Sequence, residues 1–144
     1  GLSEDYISRI DEKNTQAKFE RNNDDRLFVA ESAVIRDLAK KSSCVIVGRC
    51  ADYILKEEKD VVKVFLYSDE TNKVARAIQY YHIPAHQASK TVRSVNSKRA
   101  KHYKYYTNRN WDHRSNYDIM IHVDTLGVEE TAHQLAEYVK NRFS

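Results

Sequence analysis

The sequence predicts an α/β domain with a parallel sheet. Three short apolar runs rich in β-branched residues, at positions 44–48, 61–67 and 117–124, alternate with longer amphipathic segments. Strands that alternate with helices are typical of a parallel sheet covered by helices. The 144 residues suffice for one domain with one hydrophobic core, and only three glycines and one proline interrupt them. Regular structure with short connections is therefore expected.

The first third of the chain predicts two helices and a strand. Ser3 can cap a short first helix, and the polar residues 14–23 predict a loop. The second helix is expected over residues 24–41, with its apolar residues at helical spacing on one buried stripe. Those residues are Leu27, Val34, Ile35 and Leu38. The run CVIVG at 44–48 contains no polar interruption, which predicts a strand buried on both faces.

The middle of the chain predicts a strand and two helices that a proline separates. The run VVKVFLY at 61–67 predicts the second strand, and Ser68 can cap the helix that follows it. Pro84 ends that helix and can start the next one, which is expected over residues 85–107.

The last third predicts a strand, YDIMIHVD at 117–124, and a helix over residues 128–143 after Gly127. Ligands of parallel sheets bind beyond the carboxyl ends of the strands. The candidate binding residues are therefore those that directly follow the strands: Gly48, Arg49, Ser68, Asp69, Asp124 and Thr125.

Gly48 and Arg49 are the most informative of these residues. A glycine lets a ligand approach the backbone closely, and an arginine presents a planar donor fork to a phosphate or carboxylate. The alternative for Arg49 is an ion pair with a structural acid such as Asp52. Ser68 and Asp69 favour a helix cap over a catalytic role, and the residues after the third strand can equally form a plain loop.

Positive charge is concentrated between Lys90 and Arg114, where eight basic residues face one acidic residue within a net charge of +3. The rest of the chain is acidic on balance. Such a block favours an anionic partner, and a solvated helix face is the alternative.

Composition excludes several classes of protein. No apolar run approaches the length of a membrane span, and the acidic N-terminal residues do not resemble a signal peptide, so we expect a cytoplasmic protein without a membrane partner. Cys44 and Cys50 are interpreted as reduced thiols, and no metal site is predicted. His82 and His86 are separated by Pro84, and the other histidines are interpreted as surface or core residues.

Two long stretches resemble the cytidylate kinase-like family. The first, VIRDLAKKSSCVIVGRCADYILKEEKDVVKVFLYSDETNKVARAIQ, resembles its middle part. The second, VNSKRAKHYKYYTNRNWDHRSNYDIMIHVDTLGVEETAHQLAEYV, resembles its C-terminal part. The positions that carry the second resemblance are Arg99, Tyr105, Tyr106, Trp111, Asn116, Tyr117 and Asp118.

This resemblance implies a three-layer P-loop kinase fold, which transfers the γ-phosphoryl of ATP, with Mg²⁺, to a nucleoside monophosphate or related acceptor. It implies one domain over residues 1–144 with a helical lid at about residues 84–110. By resemblance, Gly48 and Arg49 bind the acceptor nucleotide and Arg76 binds the donor nucleotide. Within the lid, the resemblance assigns catalytic roles to Arg93 and Arg99, and further positive charge to Lys98 and Lys101.

The sequence departs from the family at three places. Asn96 stands where the family commonly has aspartate, and the turn around Gly48 lacks the flanking aspartates of true cytidylate kinases, which weakens CMP as the acceptor. A phosphate-binding loop needs several glycines, and those of this chain are isolated at 1, 48 and 127. We therefore expect the first strand and its P-loop to lie in a segment before Gly1, and the 144 residues alone to be inactive.

Two other functions remain open on the sequence alone. Residues 98–111, KRAKHYKYYTNRNW, interleave basic and aromatic residues as a nucleic-acid-binding module requires. In the simpler alternative, Tyr103 and Tyr106 pack onto the domain and the lysines are solvated. A non-catalytic domain that keeps only the kinase scaffold is the third hypothesis.

Overall fold

The computed structural model describes the backbone of residues 4–144 and the side chains of residues 18–144. The chain divides into two units, the first ending at Ile54 and the second beginning at Leu55. Ser3, the predicted cap of the first helix, lies outside the described residues. No helix among the described residues is both long and apolar enough to cross a membrane.

The first unit is dominated by α1, a helix of 38 residues over Glu4–Lys41. The loop predicted at 14–23 is wrong, because the helix runs through it without a break. Those ten positions contain good helix formers and neither glycine nor proline, so polarity alone does not stop the helix. Of the predicted stripe, Ile35 is 5% exposed, whereas Leu27, Val34 and Leu38 are 45–57% exposed.

The strand predicted at 44–48 is also wrong within the described residues. This segment has no strand pairing there, and Val45 and Val47 are 93% and 85% exposed. β-Branched residues favour extended backbone, but a strand exists only where a neighbour satisfies its backbone N–H and C=O groups. A short helix, α2 (Ala51–Ile54), follows.

The second unit contains a parallel pair of strands, β1 (Val64–Tyr67) and β2 (Ile119–His122). Val64 lies opposite Ile119 and Tyr67 lies opposite His122. The predicted parallel sheet is confirmed for these two strands, each shorter than its apolar run. The chain crosses between them through α3 (Glu70–Tyr81), α4 (Ala85–Thr107) and a 3-10 turn (Arg114–Asn116), and ends in α5 (Val123–Phe143).

Helices α3 and α4 pack through small residues and are separated by a sharp connection. Ala77 and Ala88 are 8% and 0% exposed, and their small side chains allow the two helices to approach closely. The start of α4 at Ala85 confirms the predicted role of Pro84, which is its N-cap residue. Ser68 does not cap α3, because Asp69 occupies that position without a side-chain capping bond.

An aromatic cluster and a carboxylate hold the amino-terminal end of the strand pair. The Phe65 ring contacts the rings of Trp111 and Tyr117 at centroid distances of 5.3 and 5.0 Å, and the Tyr117 hydroxyl donates to the Trp111 carbonyl oxygen. The Asp118 carboxylate accepts from the backbone N–H of Lys63 at 2.7 Å. Residues that carry the family resemblance therefore fix the strand pairing.

Helix α3 ends at His82, which adopts the left-handed conformation with φ 54°. A side chain in this region costs about 1 kcal/mol that glycine avoids. We therefore expect His82→Gly to raise the free energy of unfolding by up to about 1 kcal/mol in a urea titration. Asn108→Gly, at the equivalent position of α4 with φ 57°, is the control, since asparagine tolerates this conformation and should gain less. Equal gains at both positions would contradict this explanation.

Candidate functional site

A group of polar side chains meets where β1 and β2 end. Because the strands are parallel, the residues after both strands lie at the same edge of the sheet. Ser68 follows β1 and donates its hydroxyl proton to the Asp124 carboxylate, with Oγ 2.7 and 2.8 Å from its two oxygens. The backbone N–H of Asp69 donates to Asp124 Oδ2 at 2.7 Å. We call Ser68, Asp69, Arg76, His122 and Asp124 the strand-end cluster.

Asp124 is the centre of this cluster and is charged. Its side chain is only 12% exposed. The backbone N–H of Asp69, together with the side chains of Asn72, Ser68 and Arg76, holds the pKa of the Asp124 carboxyl well below its usual range. These hydrogen bonds stabilise the carboxylate and therefore favour the folded chain above the ordinary pKa of the group, an advantage that is lost as the pH falls below it.

Arg76, the predicted donor-binding residue, belongs to the cluster. It extends from α3 so that Nη2 donates to Ser68 Oγ at 2.7 Å, while Nη1 lies 3.4 Å from Asp124 Oδ1. Its side chain is 33% exposed, so the guanidinium is held by the protein and still reaches solvent. A positive group in this position can contact an anion beyond the carboxyl ends of the strands.

His122, which the sequence assigned to the surface or core, lies between the two aspartates. Its Nε2 is 3.3 Å from Asp69 Oδ1 and 3.4 Å from Asp124 Oδ2, and its ring stacks on Tyr67 with centroids 5.1 Å apart. One ligand atom from each of Asp69, His122 and Asp124 lies within 4.8 Å of the others, a spacing compatible with a metal ion. The hydrogen bonds to both Asp124 oxygens and the adjacent Arg76 disfavour this use.

Arg93, one of the two predicted catalytic arginines, reaches the same turn from α4. Its Nε donates to Glu70 Oε1 at 2.7 Å, and Ser89 Oγ donates to the same oxygen at 3.3 Å. Glu70 directly follows Asp69 at the start of α3. Arg76 and Arg93 thus each bind a residue of the short segment from Ser68 to Glu70 that follows β1. The Arg93 side chain is 71% exposed.

The other predicted lid residues are not in this group. Lys98, Arg99 and Lys101 are exposed on α4. Arg99 follows Arg93 by six positions, which turns it about 120° around the helix axis and moves it about 9 Å along it. The helix therefore does not present the two predicted catalytic arginines on one face.

Gly48 and Arg49 lie in the first unit. Gly48, Arg49 and Cys50 all have positive φ, at 68°, 54° and 58°. Arg49 pairs with Glu31 of α1 through Nε at 2.9 Å and Nη2 at 2.8 Å. Arg49 therefore forms an ion pair with a structural acid, which was the alternative to ligand binding. The acid is Glu31, 18 positions away in the sequence. Two consecutive non-glycine residues in this conformation carry a strain of about 1–3 kcal/mol each, typical of positions that the surrounding structure over-determines.

Cys50 is a buried thiol beside this turn, 4% exposed. Burial, together with the charges of Asp52 and Glu31, raises the pKa of Cys50 to about 11, although the Arg49 charge acts to lower it. The thiol is therefore protonated at neutral pH and is a poor nucleophile.

Two of the tyrosines in the basic and aromatic stretch at 98–111 pack onto the protein. Tyr103 is 4% exposed, and Tyr106 is half-buried against His102 at a ring distance of 4.9 Å, whereas Tyr105 is 50% exposed. The lysines of the stretch are exposed. Single-stranded nucleic acids bind to accessible aromatic faces, so this arrangement agrees with the packing alternative for the tyrosines.

Sequence reasoning identified Arg76 and Arg93 but left Asp124 open between a site and a loop, and discounted Ser68 and His122. The position of Ser68 and Asp124 could have identified them as site residues, because both directly follow strands of a parallel sheet. Their 2.7 Å contact joins residues 56 positions apart, and no local pattern reports it.

Comparisons with known proteins agree with this architecture. The sequence model of the cytidylate kinase-like family matches residues 1–125. Among solved structures, the fold is similar to an uncharacterized protein from Eubacterium ventriosum ATCC 27560, with a TM-score of 0.74 and 24% identity over 79% of this chain. The chain spans 65% of the length of that neighbour. No curated protein matches the sequence.

The two cysteines should differ sharply in reactivity. Cys44 is exposed and Cys50 is buried with a raised pKa, so dithiobis(nitrobenzoate) should titrate one thiol of the folded 144-residue chain at pH 8. The second thiol should react only after unfolding in guanidinium chloride. Cys44→Ser should abolish the fast reaction and Cys50→Ser should preserve it. The opposite assignment would show that the turn at Cys50 is open.

Proposed function

The chain belongs to the cytidylate kinase-like family, and we propose that it supplies the donor-phosphate and lid side of a nucleotide phosphotransferase. The reaction is transfer of the γ-phosphoryl of ATP, entering as its magnesium complex, to a nucleoside monophosphate or a related acceptor. The observation that carries this proposal is that Arg76 and Arg93 bind Ser68 and Glu70, two residues that follow β1 closely in the chain.

Two arginines from different helices suit phosphoryl transfer. The transferred group spreads negative charge over its oxygens, and catalysis consists largely of positioning and charge stabilisation. Arg76 is fixed by the strand-end cluster and would bind donor phosphates. Arg93 lies on α4, which belongs to the proposed lid. As the lid closes, the Arg93 guanidinium would leave Glu70 and bind the transferring phosphoryl.

The described residues do not fit a resident magnesium ion. Mg²⁺ prefers oxygen ligands in octahedral geometry, whereas the candidate group contains the His122 nitrogen and an Asp124 carboxylate already bound by donors. In the proposed reaction the ion therefore arrives on the phosphates of ATP, as part of the substrate.

Arg49 is the proposed acceptor-binding residue. Its Nε and Nη2 groups bind Glu31, which leaves the Nη1 end of the guanidinium open to an acceptor phosphate. The turn contains no aspartate beside Gly48, so the acceptor is left as a nucleoside monophosphate of unspecified base.

We further propose that the complete protein has the three-layer P-loop fold. The isolated glycines rule out a phosphate-binding loop within these 144 residues. Val45 and Val47 are exposed on a segment without strand pairing, and β-branched residues suit a strand, so a further strand could pair with this segment and bury them. A longer chain that includes such a strand and its loop would be the active form.

The test is a coupled ADP-release assay on the full-length protein with ATP and each nucleoside monophosphate in turn. We expect Arg93→Ala to lower kcat by about 100-fold, because it removes positive charge that stabilises the transferring phosphoryl. Arg99 is turned about 120° away on α4, so Arg99→Ala should lower kcat less than Arg93→Ala does. Lys140→Ala removes the same charge from an exposed position on α5, where Lys140 pairs with Glu137 at 3.0 Å, and should leave kcat unchanged.

Absence of turnover with every acceptor would overturn the enzymatic proposal. If the full-length protein also fails to bind ATP, a non-catalytic domain that keeps only the kinase scaffold is the better explanation. Binding to single-stranded RNA with a steep salt dependence, in place of ATP binding, would favour the nucleic-acid-binding module.

A further inference from the structure

We propose that Asp124 is the positioning residue that fixes Arg76 for the donor phosphates, acting through the Ser68 hydroxyl. This inference rests on the proposed function and adds to it a residue outside the predicted lid and acceptor turn. It assigns a role to Asp124, which follows β2 in the first turn of α5.

The hydrogen bonds of the Ser68 hydroxyl connect Asp124 with Arg76. A hydroxyl has one proton to donate, and Ser68 gives it to the Asp124 carboxylate, 2.7 Å away. The Ser68 oxygen is then left to accept from Arg76 Nη2, also at 2.7 Å. Asp124 thus determines which way the serine hydroxyl points, and the serine in turn determines where Arg76 is held.

The protein holds the Asp124 carboxylate in place. Its side chain is 12% exposed, and its Oδ2 accepts from the backbone N–H of Asp69 at 2.7 Å. A carboxylate anchored to backbone is a fixed reference point, whereas a free arginine side chain samples many rotamers. Ordering such a side chain during binding costs conformational entropy, and a prepositioned arginine avoids that cost.

The geometry also keeps Arg76 useful for binding an anion. Its direct contact with Asp124 is long, at 3.4 Å, and its short contact is to a neutral hydroxyl. The positive charge is therefore held in place without a close bidentate ion pair that would neutralise it.

A purely structural role for Asp124 is the competing explanation, and Asp118 provides the matched control. Asp118 lies at the other end of β2, where its carboxylate accepts from the backbone N–H of Lys63 at 2.7 Å. Asp118→Asn and Asp124→Asn each weaken one carboxylate–backbone bond between the same two strand regions. Only the second touches the Ser68–Arg76 pair.

The kinetic experiment uses the full-length protein. We expect Asp124→Asn and Ser68→Ala each to raise the KM for ATP about tenfold while leaving the KM for the acceptor unchanged, since about 1.4 kcal/mol of binding corresponds to a factor of ten. Adding Arg76→Ala to Asp124→Asn should cost no more than Arg76→Ala alone, because both act through one group. Additive effects, or an equal rise in KM for Asp118→Asn, would overturn the inference.

A second measurement does not depend on nucleotide. The Nε–H group of Arg76 should be ordered on the nanosecond timescale by NMR relaxation, and should lose that order in Asp124→Asn but not in Asp118→Asn. An Arg76 that stays ordered in Asp124→Asn overturns the positioning role even if ATP turnover is found. Loss of order without any ATP binding in the wild type instead overturns the proposed function and leaves the positioning intact.

Discussion

The structure of the second unit depends on the parallel pairing of β1 and β2. Two strands of four residues are marginal alone, because so short a ladder makes few hydrogen bonds and buries little surface. A carboxylate secures each end of the pair. Asp118 accepts from the N–H of Lys63 at the amino end, and Asp124 accepts from the N–H of Asp69 at the carboxyl end. With both ends secured, the register cannot slip, and the residues after the strands meet at one edge.

The two ends of this pair have different chemistry. At the amino end, the rings of Trp111 and Tyr117 pack against Phe65. At the carboxyl end the side chains are charged, and Arg76 and Arg93 extend there from two helices. Trp111, Tyr117 and Asp118, three of the residues that carry the family resemblance, therefore lie at the opposite end of the strands from the candidate site.

The sequence predicts correctly those elements whose ends are determined by residues close in the sequence. Helix α4 spans 85–107 as predicted, because Pro84 fixes its start and the sequence contains no breaker before Asn108. The loop predicted at 14–23 failed because polar residues with good helix propensity continue a helix unless glycine or proline stops it. The strand predicted at 44–48 failed because pairing depends on a partner, which β-branched residues cannot specify. The pairing of Arg49 with Glu31 and of Arg76 with Asp124 could not be predicted from local sequence either, because the partners are 18 and 48 positions apart.

The partners of Arg49 and Arg76 determine how each guanidinium is oriented and which of its N–H groups remain for a ligand. Arg49 gives Nε and Nη2, the edge best suited to a phosphate, to both oxygens of Glu31. The Nη1 end of Arg49 is left for an acceptor phosphate. Arg76 donates to the Ser68 hydroxyl at 2.7 Å and pairs with the Asp124 carboxylate at 3.4 Å, so two residues of the strand-end cluster orient its guanidinium. In the proposed reaction, Glu31 orients the arginine that binds the acceptor, and Ser68 with Asp124 orients the arginine that binds the donor.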